Sequence, residues 1–179
     1  MQIAQGYLQG QGPEHGSRRR RLGQDSGIGL RRAWRVIAVD TNILVYAHRE
    51  DADWHSLAFE KLRHLAEGNV AWAIPWPCIH EFVAIVTHPR VYRPPTPLAA
   101  AIDQVEAWLD SQTLVLLAES NVHWPQLKAL LLSGKSSGPK VHDARIAALC
   151  LQHGVSELWS ADRDFGRFPN VQVVNPLIE

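Results

Sequence analysis

Acidic residues recur in this sequence where short apolar runs give way to helix-like patterns. Asp40 closes Val36-Ile-Ala-Val-Asp40, and Glu81 stands in His80-Glu81-Phe82. Asp143 opens the stretch Val141–His153, and Asp162 and Asp164 follow Glu157–Ser160 in Ser160-Ala161-Asp162-Arg163-Asp164-Phe165. Carboxylates gathered in one place repel one another and raise each other's pKa, a cost that a cation removes. Mg2+ and Mn2+ prefer oxygen ligands and keep waters for substrate phosphates. Such ions lower the pKa of a bound water and stabilise charge developing on a phosphodiester. No G-x-S-x-G elbow is present for an acyl-transfer serine. Four such carboxylates, with Asp162 and Asp164 competing for one place, therefore predict metal-dependent phosphodiester hydrolysis.

Each acid also has a plainer reading. Asp40 and Asp143 sit where a helix N-terminus favours an acid through its dipole. Glu81 could be a solvated helix residue. The apolar strand before Asp40 and the apolar Phe82-Val83-Ala84-Ile85-Val86 after Glu81 favour the site reading. His80 and His142 adjoin these acids without an i, i+4 zinc pattern and read as structural.

The chemistry needs elements that bring these residues together. Val36–Asp40 has the continuous apolar character of a buried parallel strand, and Thr41-Asn42 read as helix-capping residues before Ile43, Leu44, Val45 and Tyr46. Trp54–Glu67 reads as a helix with Trp54, Ala58, Leu62 and Leu65 on one stripe, stopped by Gly68-Asn69. Val70–Ile74 reads as a second strand, and Pro77 lies in the first turn of a helix ending near Thr87-His88-Pro89. Leu98, Ile102, Val105 and Leu109 predict an amphipathic helix, and Leu114–Leu117 a third strand. Helices over Val122–Leu132 and Val141–His153 and strands at Glu157–Ser160 and Val171–Val174 complete the pattern. Strands alternating with helices predict an α/β domain with a mainly parallel sheet. In such sheets the chemistry stands at the carboxyl ends of the strands, where connections diverge.

The chain has 179 residues, 46% hydrophobic and 20% charged, which suits one globular domain and excludes a wholly disordered chain. Its formal net charge is zero, but by cancellation. Residues 1–35 hold seven arginines against two acids, an excess of five positive charges, and the remaining eleven basic and sixteen acidic residues carry an equal negative excess. This Gly- and Gln-rich segment predicts a disordered basic N-terminal extension, either an RNA- or DNA-contacting arm or an upstream addition without a role. Cys78 and Cys150 lie far apart, so reduced thiols and a cytoplasmic setting are expected. No apolar run approaches the roughly 20 residues of a membrane helix. Gly134-Lys135-Ser136 has Ala129 where a P-loop needs its first glycine and reads as a flexible loop. Trp76 and Trp124, beside prolines, are the expected surface tryptophans.

Val39-Asp40-Thr41-Asn42, the Glu81 helix, His142-Asp143-Ala144-Arg145-Ile146-Ala147-Ala148 and Ser160-Ala161-Asp162-Arg163-Asp164-Phe165, in this order and spacing, resemble the PIN domain. With the short length they resemble most the VapC toxin ribonucleases of bacterial toxin–antitoxin pairs. The resemblance covers residues 36 to about 177. It implies a three-layer α/β/α PIN-like domain over residues 36–179, and an endoribonuclease dependent on Mg2+ or Mn2+. Asp40, Glu81, Asp143 and Asp162 match the family's acidic quartet, with Asp40 and Asp143 expected to hold the principal ion. Asn42 and Ser160 match its small polar residues, Ser160 standing where threonine is more usual. Asp162 fits the family's register, leaving Asp164 to cap the turn at Phe165 or to support the acids from behind.

The partners implied are an RNA substrate, a small antitoxin whose arginine reaches the acidic pocket, and a second copy in a homodimer, with no membrane. The Trp54–Leu65 and Pro77–Val86 helices are candidates for the antitoxin's groove. Two other readings stay open: a PIN nuclease of RNA maturation or DNA/RNA repair outside any toxin pair, and a non-catalytic RNA-binding module. The full quartet argues against the last, since a silent module has no reason to tolerate carboxylate repulsion.

Overall fold

A computed structural model describes residues 35–178. Residues 1–34, on which the reading of a disordered basic extension falls, lie outside the described residues. Five short strands form one sheet: β1 (Ile37–Val39), β2 (Trp72–Pro75), β3 (Leu114–Leu117), β4 (Glu157–Trp159) and β5 (Val173–Val174). Their order is β3-β2-β1-β4-β5 and every pairing is parallel. β3 has the predicted bounds, β1, β4 and β5 are one or two residues shorter than the runs that predict them, and β2 starts two residues later and ends one later, at Pro75.

Parallel strands cannot be joined by a tight turn, so helices make each crossover. Between β1 and β2 run α1 (Thr41–His48) and α2 (His55–Glu67). Next come α3 (Trp76–Val86) and α4 (Leu98–Leu109), and then α5 (His123–Ser133) and α6 (Lys140–Gln152). All residues of β1 and β2 are buried, so both faces of the central sheet are covered, the condition for a three-layer α/β/α arrangement. Trp72, Phe82, Ile43, Leu44, Leu149 and Leu158 are among the largest fully buried side chains. Phe82 meets Trp108 edge to face, ring centroids 4.7 Å apart, which ties α3 to α4. Trp76 and Trp124 are exposed as expected, and so is Trp54, which precedes α2 as its cap rather than joining its buried stripe.

One local assignment is corrected. The cap of α1 is Asp40, not Thr41-Asn42: Asp40 is extended (φ −81°, ψ 160°), its Oδ1 accepts from the Thr41 N–H at 2.8 Å, and Thr41 already lies in the helix. Three consecutive cap-type residues compete here, and the end of β1 decides, because Asp40 still donates its N–H to the Trp159 carbonyl at 3.0 Å.

The order places a topological switch at β1. The chain steps outward from β1 through β2 to β3, then returns to the other side of β1 for β4 and β5. The connections leaving β1 and β4 therefore diverge, and their carboxyl ends are where sheets of this kind bind ligands. Asp40 follows β1 and Ser160 follows β4 at that place.

Candidate active site

Asp40 is the base of the site. It is 5% exposed, and all four acceptor directions of its carboxylate face a donor. Oδ1 accepts from the Thr41 N–H at 2.8 Å and from the Cys78 thiol at 3.8 Å. Oδ2 accepts from Asn42 Nδ2 at 2.6 Å and from the Ser160 hydroxyl at 2.7 Å. Burial nevertheless raises the pKa of Asp40 to about 6, against the lowering effect of the Ser160 and Thr41 bonds and with help from the charges of Glu81 and Asp143. Burial pushes the Cys78 thiol well above its ordinary range, so it stays protonated and donates. Cys78 and Cys150 are both free and buried.

Asn42 and Ser160 lock β1 to β4 above the sheet. Asn42 Nδ2 donates also to Ser160 Oγ at 2.9 Å, while its Oδ1 accepts from the Ala161 N–H at 3.1 Å. Ser160 Oγ accepts from the Asp162 N–H at 3.0 Å. Ser160 is 2% exposed.

Glu81 reaches the site from the exposed side of α3, and its Oε2 accepts from the Thr41 hydroxyl at 2.6 Å. Asp143 lies in the first turn of α6, half-buried. Its pKa is raised to about 6, first by burial and then by the charges of Asp162, Asp164 and Glu81. Arg167 draws it back. Asp143 is thus within electrostatic reach of the other four predicted acids, and Asp40 of Glu81 and Asp143.

Asp162 and Asp164 divide their roles clearly. Asp162 is exposed and caps the 3-10 helix Arg163–Arg167, its Oδ1 accepting from the Asp164 N–H at 2.8 Å. The expectation that Asp164 caps this turn is therefore reversed. Asp164 binds Arg167, whose Nη2 donates to Oδ1 at 2.8 Å and whose Nε donates to the Asp164 carbonyl at 3.0 Å.

Sequence reasoning passed over three residues. The Thr41 hydroxyl links Asp40's helix to Glu81, Cys78 touches Asp40, and Arg167 stands against Asp164. Only the last left a signal, an acid and a base three apart in a turn. Gly134-Lys135-Ser136 forms the turn after α5, with Lys135 at φ 46° and Ser136 buried.

The donor set is all oxygen and acidic, which suits a hard divalent ion and not a thiolate- or imidazole-seeking one. Two carboxyls held near pKa 6 by burial and mutual repulsion have the frustrated charge that such an ion relieves. Among the described residues no three His, Cys, Asp or Glu side chains stand close enough to grip an ion as placed. Asp40, in particular, is held by protein donors instead.

A family model described as PIN domain matches residues 37–171. The chain is similar to VapC ribonuclease Mb2897 of Mycobacterium bovis, 32% identical over 79% of this chain and 96% of that protein. It is also similar to Ribonuclease VapC48 of Mycobacterium tuberculosis, 27% identical over 76% of this chain and 94% of that protein. Among solved structures, VapBC2 from Rickettsia felis, bound to a DNA fragment from its promoter, has a TM-score of 0.55 at 19% identity, covering 78% of this chain and 97% of that one. VapBC-1 from nontypeable Haemophilus influenzae gives 0.55 at 16% identity, over 80% of this chain and 99% of that one. Asp40 and Ser160 joined across a β1–β4 switch point, with the profile match over both, make this chain a member of the PIN-domain family, among the VapC ribonucleases.

Proposed function

We propose that this protein is an endoribonuclease of the VapC toxin type, dependent on Mg2+ or Mn2+, that hydrolyses RNA phosphodiester bonds at the crevice beyond β1 and β4. The observation that carries this reading is Asp40, buried and fully bonded at the centre of an acid cluster, with its pKa raised to about 6. A fold retains so costly a group where a cation and an anionic substrate use it. Asp40 and Asp143 would hold the principal ion, with Glu81 and Asp162 completing the acidic set. Bound there, Mg2+ or Mn2+ supplies Lewis-acid stabilisation of charge developing on the phosphodiester. Asn42 and Ser160 orient the Asp40 carboxylate, and Thr41 fixes Glu81 beside it. The products expected are 5′-phosphate and 3′-hydroxyl ends.

The relatives' printed names support RNA as substrate, and the VapBC complexes support a small antitoxin partner. An apolar groove of about 200 Å3 fits the partner's side of that reading. It is lined by Ala47, Phe59, Leu62, Ala66 and Trp108 together with Arg63, Glu67 and Gln104, from α1, α2 and α4. Among the described residues no helix is long and apolar enough to cross a membrane.

The test is cleavage of a mixed RNA pool by the purified chain with Mn2+, beside Asp40→Asn and beside an EDTA control. Cleavage by the wild type alone, abolished by EDTA, is expected. Equal cutting by both proteins, indifferent to EDTA, sinks the nuclease reading.

A further inference from the structure

A polyanion has to approach five carboxylates, and one cation is fixed against them. Arg167 ends the 3-10 helix Arg163–Arg167, which packs on α6, the helix that carries Asp143 in its first turn. Its side chain is 25% exposed, and Asp164 holds it at two points, Nη2 to Oδ1 at 2.8 Å and Nε to the main-chain carbonyl at 3.0 Å. A guanidinium has five N–H donors. Asp164 takes two, and no other group among the described residues pairs with the rest.

Stability gives little reason for this arrangement. An ion pair between residues three apart on a partly exposed turn contributes little to stability, and either charge could be replaced by a neutral pair without leaving a buried orphan. The arrangement does have a use as a binding device. Two anchoring bonds remove most of the rotamer freedom that a free arginine loses on gripping a ligand, so the remaining donors are pre-organised. A planar guanidinium matches the geometry of a phosphate. Its charge reaches Asp143, which shows that the cation and the acid cluster share one electrostatic neighbourhood.

We propose that Arg167 is a substrate-binding residue, aimed by Asp164, whose free N–H groups take a backbone phosphate of the RNA strand beside the bond to be cut. This rests on the ribonuclease reading above and adds the group that seats the substrate. Asp164 is then a positioning residue that acts through Arg167 and not through an ion. A phosphate contact of this kind fixes the strand's position and carries no base preference.

The experiment uses the full chain carrying Asp40→Asn, so that RNA is not consumed, and a short fluorescein-labelled single-stranded RNA at several NaCl concentrations. Adding Arg167→Ala is expected to weaken RNA binding about tenfold and to reduce the slope of log affinity against log salt by about 0.7, the share of one phosphate contact on a single strand. Arg167→Lys should recover part of the affinity and the whole slope. Asp164→Asn should weaken binding when Arg167 is present and change nothing when it is alanine. Mn2+ affinity, read by calorimetry on chains with Asp40 intact, should not fall with Arg167→Ala, since the lost cation only repels the ion. Arg167→Gln, which keeps the packed stem without the charge, replaces the alanine variant if circular dichroism shows that the latter is unfolded. RNA affinity and salt slope unchanged by the loss of Arg167, in a protein whose wild type cleaves RNA, overturn the proposal alone. A wild type that neither binds nor cleaves RNA overturns the ribonuclease reading and this proposal with it.

Discussion

Thr41 donates its hydroxyl to Glu81 Oε2 at 2.6 Å while its N–H bonds Asp40 Oδ1 at 2.8 Å, so one residue at the start of α1 holds two acids brought from β1 and α3. The hydroxyl is the dispensable half of this link. Thr41→Val keeps the shape and the main-chain bond but frees the exposed Glu81 to turn into water. A hydrogen bond to a charged group contributes about 1.5–3 kcal/mol, and losing its lower end corresponds to about a tenfold fall in kcat. Because Glu81 can be hydrated, the melting temperature should hardly change. Steady-state cleavage assays beside thermal melts check this, and an unaltered kcat would show that Glu81 needs no fixing.

The raised Asp40 carboxyl sets the sign of a pH effect. Its folded pKa of about 6 lies above its ordinary 3.8, so the folded chain binds the proton more tightly than the unfolded chain does. Without divalent ions, ionising Asp40 therefore costs stability, and that cost is absent below about pH 4, grows between about 4 and 6, and is complete above, at of order 3 kcal/mol. Asp143 acts in the same direction, with less weight because it is half-exposed. His48, lowered chiefly by burial, acts in the opposite sense, losing stability as it gains a proton. The comparison that isolates the carboxyl is wild type against Asp40→Asn in urea with EDTA. The mutant should be the more stable near pH 7.5, with the gap about halved near pH 5 and closed below about pH 4. A gap that widens toward acid contradicts the assignment.

Metal should reverse that ordering. An ion that binds only the folded acids stabilises by about 2.7 kcal/mol at a free concentration about 100 times its Kd. Added Mn2+ is therefore expected to raise the melting temperature of the wild type near neutral pH and far less near pH 5, where Asp40 and Asp143 take up protons instead. Asp40→Asn/Asp143→Asn should lose most of the shift. An equal Mn2+ response in the double variant would place the ion elsewhere.

The sequence makes some of this site legible and hides the rest for identifiable reasons. Asp40 can be read because a buried parallel strand is apolar on both faces, so an acid at its end is conspicuous. Glu81 and Asp143 stand out similarly against the apolar faces of α3 and α6. Asp162 and Asp164 cannot be separated by pattern, since both precede the same short turn. The difference lies in the main chain, where the Asp164 N–H meets Asp162, and in Arg167, which takes Asp164. Asp40, Thr41 and Asn42 all have cap chemistry, and only the strand pairing of Asp40 chooses among them. The contact of Cys78 with Asp40 and the groove between α2 and α4 are products of long-range packing, for which a single chain carries no local sign.

Two substitutions should separate stability from the site. Phe165 is 1% exposed and meets Phe168 edge to face at 6.3 Å, pinning the 3-10 helix that bears Asp162, Asp164 and Arg167. Phe165→Ala should cost about 3–5 kcal/mol and, in molecules still folded, should also weaken catalysis, because three residues of the crevice lose their support. Gly68 follows α2 and leads to the amino end of β2, whereas Asp40 and Ser160 follow the carboxyl ends of β1 and β4. A Cβ there would lie 2.6 Å from the His64 carbonyl oxygen, a main-chain atom that cannot yield without opening the end of α2. Gly68→Ala should therefore cost about 1–3 kcal/mol while leaving the activity of the folded fraction intact. Denaturant titrations and cleavage assays corrected for the folded fraction measure both quantities. Equal losses of corrected activity in the two variants would mean that the 3-10 helix does not position the site.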